Sequence, residues 1–149
     1  MIRTPISDAG VAKLAKVRSL RVLALDWTAI TDRGVSHLRH LPNLEDIGLS
    51  GTGITDSAVQ TLVSLPRLSS LGLYATPISD VGVAFLARHS RVSEMVLSDT
   101  RVTDAGVREL ERLPLRNLRL NNTRATREAV SSLRRAKPGL IVSGPGFGS

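Results

Sequence analysis

Leu20-Arg21-Val22-Leu23-Ala24-Leu25-Asp26-Trp27-Thr28-Ala29-Ile30-Thr31-Asp32-Arg33-Gly34-Val35-Ser36-His37-Leu38-Arg39-His40-Leu41-Pro42 is one complete unit of a pattern that runs along the chain. Thr28 lies 24 residues from Thr4 on one side and 24 from Thr52 on the other; Thr76 and Thr100 continue the series, and Thr123 follows after 23. The apolar residues keep the same step. Leu44, Ile47, Leu49, Ile54, Val59 and Leu62 repeat the unit, as do Leu68, Leu71, Leu73, Ile78, Val83 and Leu86. Val92, Met95, Leu97, Val102, Val107 and Leu110 form a fourth set, and Leu115, Leu118, Leu120, Ala125, Val130 and Leu133 a fifth. A half unit from Ile6 to Val17 precedes them, and Leu140 to Val142 returns as a last strand. A fixed period of this size marks an array of stacked units, each of which buries its apolar face against its neighbours.

Within the unit, L-x-x-L-x-L alternates apolar and polar residues, as a strand with one buried face does. V-x-x-L-x-x-L has helical spacing and places its apolar residues on one stripe. Between them, Ser7, Thr31, Thr55, Ser79, Thr103 and Thr126 stand where a helix N-cap is needed. Asp8, Asp32, Asp56, Asp80 and Asp104 follow them and put negative charge on the positive end of each helix; Arg127 departs from that rule. The glycine slot of Gly34, Gly82 and Gly106 accepts Ala58 and Ala129, so small size rather than a left-handed backbone is the expected requirement. Pro42, Pro66 and Pro114 help to stop the helices. The threonine column is expected to link the turns of successive units, since a hydroxyl both donates and accepts.

Strands joined one after another by helices must run parallel. Parallel strands sit ~4.8 Å apart, whereas packed helices need about 8–10 Å. The two spacings cannot match in a straight stack. The expected fold is therefore an α/β solenoid with a curved parallel sheet on the concave face and helices on the convex face. Residues 1–142 read as a single domain of about five full repeats after an N-terminal half repeat, and 143–149 as a flexible Gly/Pro tail.

These motifs resemble the leucine-rich-repeat family over nearly the whole chain, from about residue 4 to 142. The unit L-x-x-L-x-L-x-x-T-x-I-T-D-x-G-V is most similar to the ribonuclease-inhibitor-like, cysteine-containing and GALA-type repeats, which bacterial proteins carry in number. Two departures stand out: threonine replaces the usual Asn or Cys, and cysteine is absent altogether. The resemblance implies a recognition scaffold for a protein partner and names no particular one.

Little in the chain points to chemistry. There is no thiol nucleophile, no cysteine-based metal site and no disulfide framework. His37 and His40 share one helix without a third ligand beside them, and His89 falls in a leucine column. No phosphate-binding loop or nucleophile elbow occurs. Catalytic, metal and cofactor sites are accordingly not expected. No run of residues has the ~18 apolar positions of a membrane helix, and residues 1–20 lack the pattern of a signal peptide. A cytoplasmic location is the expectation.

Binding information should reside in the strand residues that the core does not constrain. Asp26, Trp27, Asp46, Tyr74, Glu94, Asp99, Arg119 and Asn121 are the candidate partner-binding residues of the concave face. Trp27 and Tyr74 are the only Trp and Tyr and would be the anchors; the four acids would select a basic partner surface. The bland alternative is a soluble sheet face with two chance aromatics. The net charge is +7, and 17 of the 20 basic residues are arginine. Most of them fall on helices and the loops after them, away from the aromatics. That separation argues against a specific nucleic-acid site, although weak anion binding through convex arginines stays open, as does a purely structural role as part of a larger protein. The first strand is unpaired on one side, which leaves an edge-strand homodimer as a further option.

Overall fold

A computed structural model describes residues 6–88 and 91–145. Thr4, His89 and the last four residues of the glycine-rich stretch lie outside them. The chain alternates helix and strand: α1 (Asp8–Leu14), β1 (Val22–Ala24), α2 (Asp32–Ser36), β2 (Asp46–Gly48), α3 (Asp56–Leu62), β3 (Ser70–Gly72), α4 (Asp80–Leu86), β4 (Glu94–Val96), α5 (Asp104–Glu109), β5 (Asn117–Arg119), α6 (Arg127–Ala136) and β6 (Ile141–Ser143). α2 and α5 tighten into 3-10 turns at His37–His40 and Leu110–Arg112. The last strand extends one residue into the stretch assigned to the tail, and Gly144 is buried against Leu120.

All six strands pair in parallel and in chain order. Their register is that of the repeat: Leu23, Ile47, Leu71, Met95, Leu118 and Val142 lie side by side. The 23-residue step before β5 is absorbed ahead of that strand, so the ladder does not slip. This α/β solenoid carries its sheet on one side and its helices on the other, as the period requires.

The core between the two layers is wholly aliphatic. The strands contribute Leu25, Leu49, Leu73, Leu97 and Leu120, and the helices contribute Val35, Val59, Val83, Val107 and Val130, all essentially inaccessible to water. Among the described residues no buried side-chain nitrogen or oxygen lacks a hydrogen-bond partner. Truncating one interior leucine to alanine would cost about 2–5 kcal/mol.

The aspartate column does more than favour the helix dipole. Each carboxylate bonds the N-cap residue of the next unit twice, once at the backbone N–H and once at the hydroxyl. Asp8 takes Thr31 (2.8 and 2.7 Å), Asp32 takes Thr55 (2.6 and 2.6 Å) and Asp56 takes Ser79 (2.9 and 2.5 Å). Asp80 takes Thr103 (2.8 and 2.5 Å) and Asp104 takes Thr126 (2.6 and 2.9 Å). In four of these units the N-cap oxygen accepts in turn from the N–H two residues on, and Thr126 accepts from Ala129. Ser7 differs from the expectation, since its side chain makes no cap bond. The slot is tight at three of its glycines, where a Cβ at Gly34, Gly82 or Gly106 would meet the carboxylate of Asp8, Asp56 or Asp80, while Ala58 and Ala129 occupy it in other units.

The threonine column departs from the expected role. Thr28, Thr52, Thr76, Thr100 and Thr123 donate to the carbonyl three residues earlier, at Leu25, Leu49, Leu73, Leu97 and Leu120. They close the turn within one unit instead of bridging two. The residue before each threonine explains why a clamp is useful. Trp27, Gly51, Ala75, Asp99 and Asn122 all have φ between 52° and 64°. The chain therefore leaves each of β1 to β5 through a left-handed residue, a conformation that only glycine adopts freely.

Asp8 gives this ladder a pH signature. Burial opposes its ionisation, but the bonds from Thr31 and Gly34 and the charge of Arg33 prevail and lower its pKa. A group depressed in the folded state adds stability above its unfolded pKa and loses it as pH falls through the folded one. The difference in melting temperature between the wild type and Asp8→Asn should hold steady from pH 7 to about 5 and shrink below about pH 4. A thermal-melt series across that range checks it; a difference that grew on acidification would overturn the assignment.

Candidate functional site

Because side chains alternate along a strand, the residues flanking the buried middle position face away from the helices. Two rows result. One runs Val22, Asp46, Ser70, Glu94, Asn117 and Ile141; the other runs Ala24, Gly48, Gly72, Val96, Arg119 and Ser143. From β2 to β6 they line a groove of about 750 Å³ across the sheet, with Asp26 at one end. Its floor is low where Gly48 and Gly72 pair side by side.

Four of the eight candidate residues line this groove: Asp26, Asp46, Glu94 and Arg119. Asp26 is held in place. Its carboxylate accepts from the N–H of Ser50 (2.8 Å) and overhangs Gly48, where a Cβ would strike it. Asp46, Glu94 and Arg119 have no ion-pair partner among the described residues, whose salt bridges are Arg21–Glu45 and Glu109–Arg112. In the Arg21–Glu45 pair the arginine is exposed and the glutamate half-buried; the bonds from Arg21 lower the pKa of Glu45.

The other four candidates stand elsewhere. Trp27 and Asp99 occupy the left-handed turn positions, so their side chains leave at the rim rather than from the sheet face. The Trp27 ring lies over Gly51 and meets the edge of Tyr74, with centroids 6.0 Å apart and planes at 67°. The pair thus crosses three units, still 42% and 37% exposed. Asn121 is drawn into the framework: its N–H donates to Ser98 (3.2 Å) and its amide to Ser143 (3.3 Å). The candidates therefore form an acidic groove with one arginine, plus an aromatic rim. Alternation alone could not separate the two, because the turn bends the chain after the second leucine.

The bare floor at Gly48–Gly72, and the polar wall of Ser70, Asn117 and Ser143, were outside the eight candidates. Two glycines one period apart in a strand were the available signal, since glycine inside a strand often marks close approach of another chain.

Elsewhere the surface is basic. Arg33, Arg39, Arg67, Arg88, Arg91, Arg108 and Arg112 are exposed on helices and following loops, and Arg88 stacks on Phe85 at 5.4 Å. His40 accepts from Arg39 (3.2 Å) at the helix surface. Among the described residues no three His, Cys, Asp or Glu side chains converge as metal ligands, and no helix is long and apolar enough to cross a membrane.

Comparisons with known proteins agree with this architecture. A family model described as Leucine Rich repeat matches residues 18–39, which hold β1 and α2. No curated protein matches the chain. Among solved structures, a leucine-rich-repeat protein of Leptospira interrogans is 20% identical over 89% of this chain and 33% of its own, with a TM-score of 0.67. An internalin of Listeria monocytogenes is 20% identical over 93% of this chain and 51% of its own, with a TM-score of 0.64. The chain thus spans a third to about half the length of these bacterial proteins. By its 24-residue period, its parallel-sheet architecture and its likeness to these structures, the chain has the fold of a leucine-rich-repeat solenoid.

Proposed function

We propose that the chain is a non-enzymatic interaction module that holds a protein or peptide segment in the groove of its sheet. One observation carries the reading: a continuous groove from β2 to β6, whose two outward-facing rows of residues lie outside the hydrophobic core. A solenoid presents such a surface because the residues on that face can vary without disturbing the stack. Asp26, Asp46 and Glu94 face a basic part of the partner, and the exposed Trp27–Tyr74 pair supplies apolar contact area beside the groove. The leucine-rich-repeat fold commonly serves protein interaction, which favours this reading over catalysis. The cytoplasm remains the expected site of action.

Two variants test it. Ser70→Arg fills the groove and should fold, because Asp46 and Glu94 flank Ser70 on the neighbouring strands. Trp27→Ala with Tyr74→Ala removes the rim. Affinity capture from the source cell should recover partners with the wild type, lose them with Ser70→Arg, and retain them weakly, by about tenfold, with the rim variant. Circular dichroism checks that both variants fold. Partners that survive Ser70→Arg would end the groove reading.

A second reading is a stretch of a longer repeat array whose activity lies elsewhere. Coverage of only a third to a half of the two matched structures favours it. It expects no specific capture by either version of the chain.

A further inference from the structure

We propose that the groove selects an extended segment carrying both a basic side chain and a carboxylate about four residues apart. This deepens the groove reading above and rests on it. Two of the three groove acids lie at the end away from the arginine, and the third, Glu94, lies on β4. Asp26 follows β1 and Asp46 lies on β2, whereas Arg119 lies on β5. Three strand steps separate Asp46 from Arg119, roughly 14 Å at ~4.8 Å each, and an extended chain covers that with about four residues at ~3.3 Å each.

The floor suits a main chain rather than a bulky side chain. Gly48 and Gly72 pair across β2 and β3, so the row that holds Arg119 is bare backbone on those two strands. A segment lying there has Asp46 and Glu94 along one side and Arg119 ahead of it. Glu94 and Arg119 sit on adjacent strands, offset by two residues, and do not pair with each other. Both remain available to a ligand.

The charge of the whole chain points the same way. The groove sets three carboxylates against one guanidinium on a protein of net charge +7. A purely basic segment would be drawn to the acids and repelled by the rest of the surface. A segment with an added carboxylate at Arg119 satisfies both ends and meets less repulsion.

The test uses the full chain, 15N-labelled, titrated with three ten-residue Gly/Ser peptides. One has lysine and glutamate four residues apart, one has the lysine alone, one the glutamate alone. The amides of Gly48 and Gly72 report binding in the groove. The doubly charged peptide should bind about tenfold tighter than the lysine peptide, one favourable charge pair at an interface. Arg119→Gln should remove that margin, and Arg119→Glu should invert it. Equal binding of the two lysine-bearing peptides, or a margin indifferent to Arg119, would overturn the proposal and leave the groove reading standing. If no peptide shifts Gly48 or Gly72, both fall.

Discussion

Asp80→Ala is expected to lower folding stability by about 3 kcal/mol, close to the effect of emptying a core position. The Asp80 carboxylate accepts three bonds from the following unit: Thr103 N–H, Thr103 hydroxyl and Gly106 N–H at 3.0 Å. Hydrogen bonds to a charged group contribute about 1.5–3 kcal/mol each net of exchange with water, and this partly buried site keeps part of that. Removing the carboxylate also leaves two backbone donors at a helix start without their acceptor. Asp80→Asn, which retains one acceptor oxygen, should cost roughly half as much. Glu111→Ala, at an exposed acid outside the salt bridges of the described residues, should change stability by less than ~0.5 kcal/mol. Urea unfolding of the three variants checks the order. Equal small losses for all three would mean that the aspartates act only through the helix dipole.

Gly51→Ala is expected to cost about 3 kcal/mol, and about half of it should depend on Trp27. Two separate demands meet at this residue. Its φ is +64°, where a Cβ costs about 1–2 kcal/mol. Its hydrogen also leaves the space that the Trp27 ring fills, and a Cβ there would collide with three ring carbons. Ala75 occupies the same turn position one unit later with φ 52°, so the backbone demand alone is tolerable. In a Trp27→Ala background the penalty should fall to the backbone part, about 1–2 kcal/mol. A double-mutant cycle read by urea unfolding measures the difference. The same penalty in both backgrounds would mean that Trp27 does not rest on Gly51, and its tryptophan fluorescence should then be unmoved by Gly51→Ala.

The two predictions separate what a repeat reveals from what it hides. The column of Asp8, Asp32, Asp56, Asp80 and Asp104 was legible, and so was its place in the first turn of each helix. That each carboxylate reaches forward to the N-cap of the next unit was not. Within a unit, a local rule accounts for an acid at that position fully, so nothing in the sequence demanded a second partner. The threonine column erred in the opposite direction. A strictly periodic hydroxyl suggested a ladder between units, while the strained left-handed residue before it called for a clamp within the turn.

Apolar spacing by itself determined the strands, the helices, their parallel order, the register and the aliphatic core, because those follow from period 2, period 3.6 and a constant 24-residue step. Tertiary structure alone decided which surface residues stand together. Asp26, Asp46, Glu94 and Arg119 share the groove, while Trp27 crosses Gly51 to Tyr74 at the rim. The physical reason is the left-handed turn after each of β1 to β5. It redirects the chain by one backbone dihedral that alternation cannot register, and side-chain partners then come from units 22 to 47 residues away.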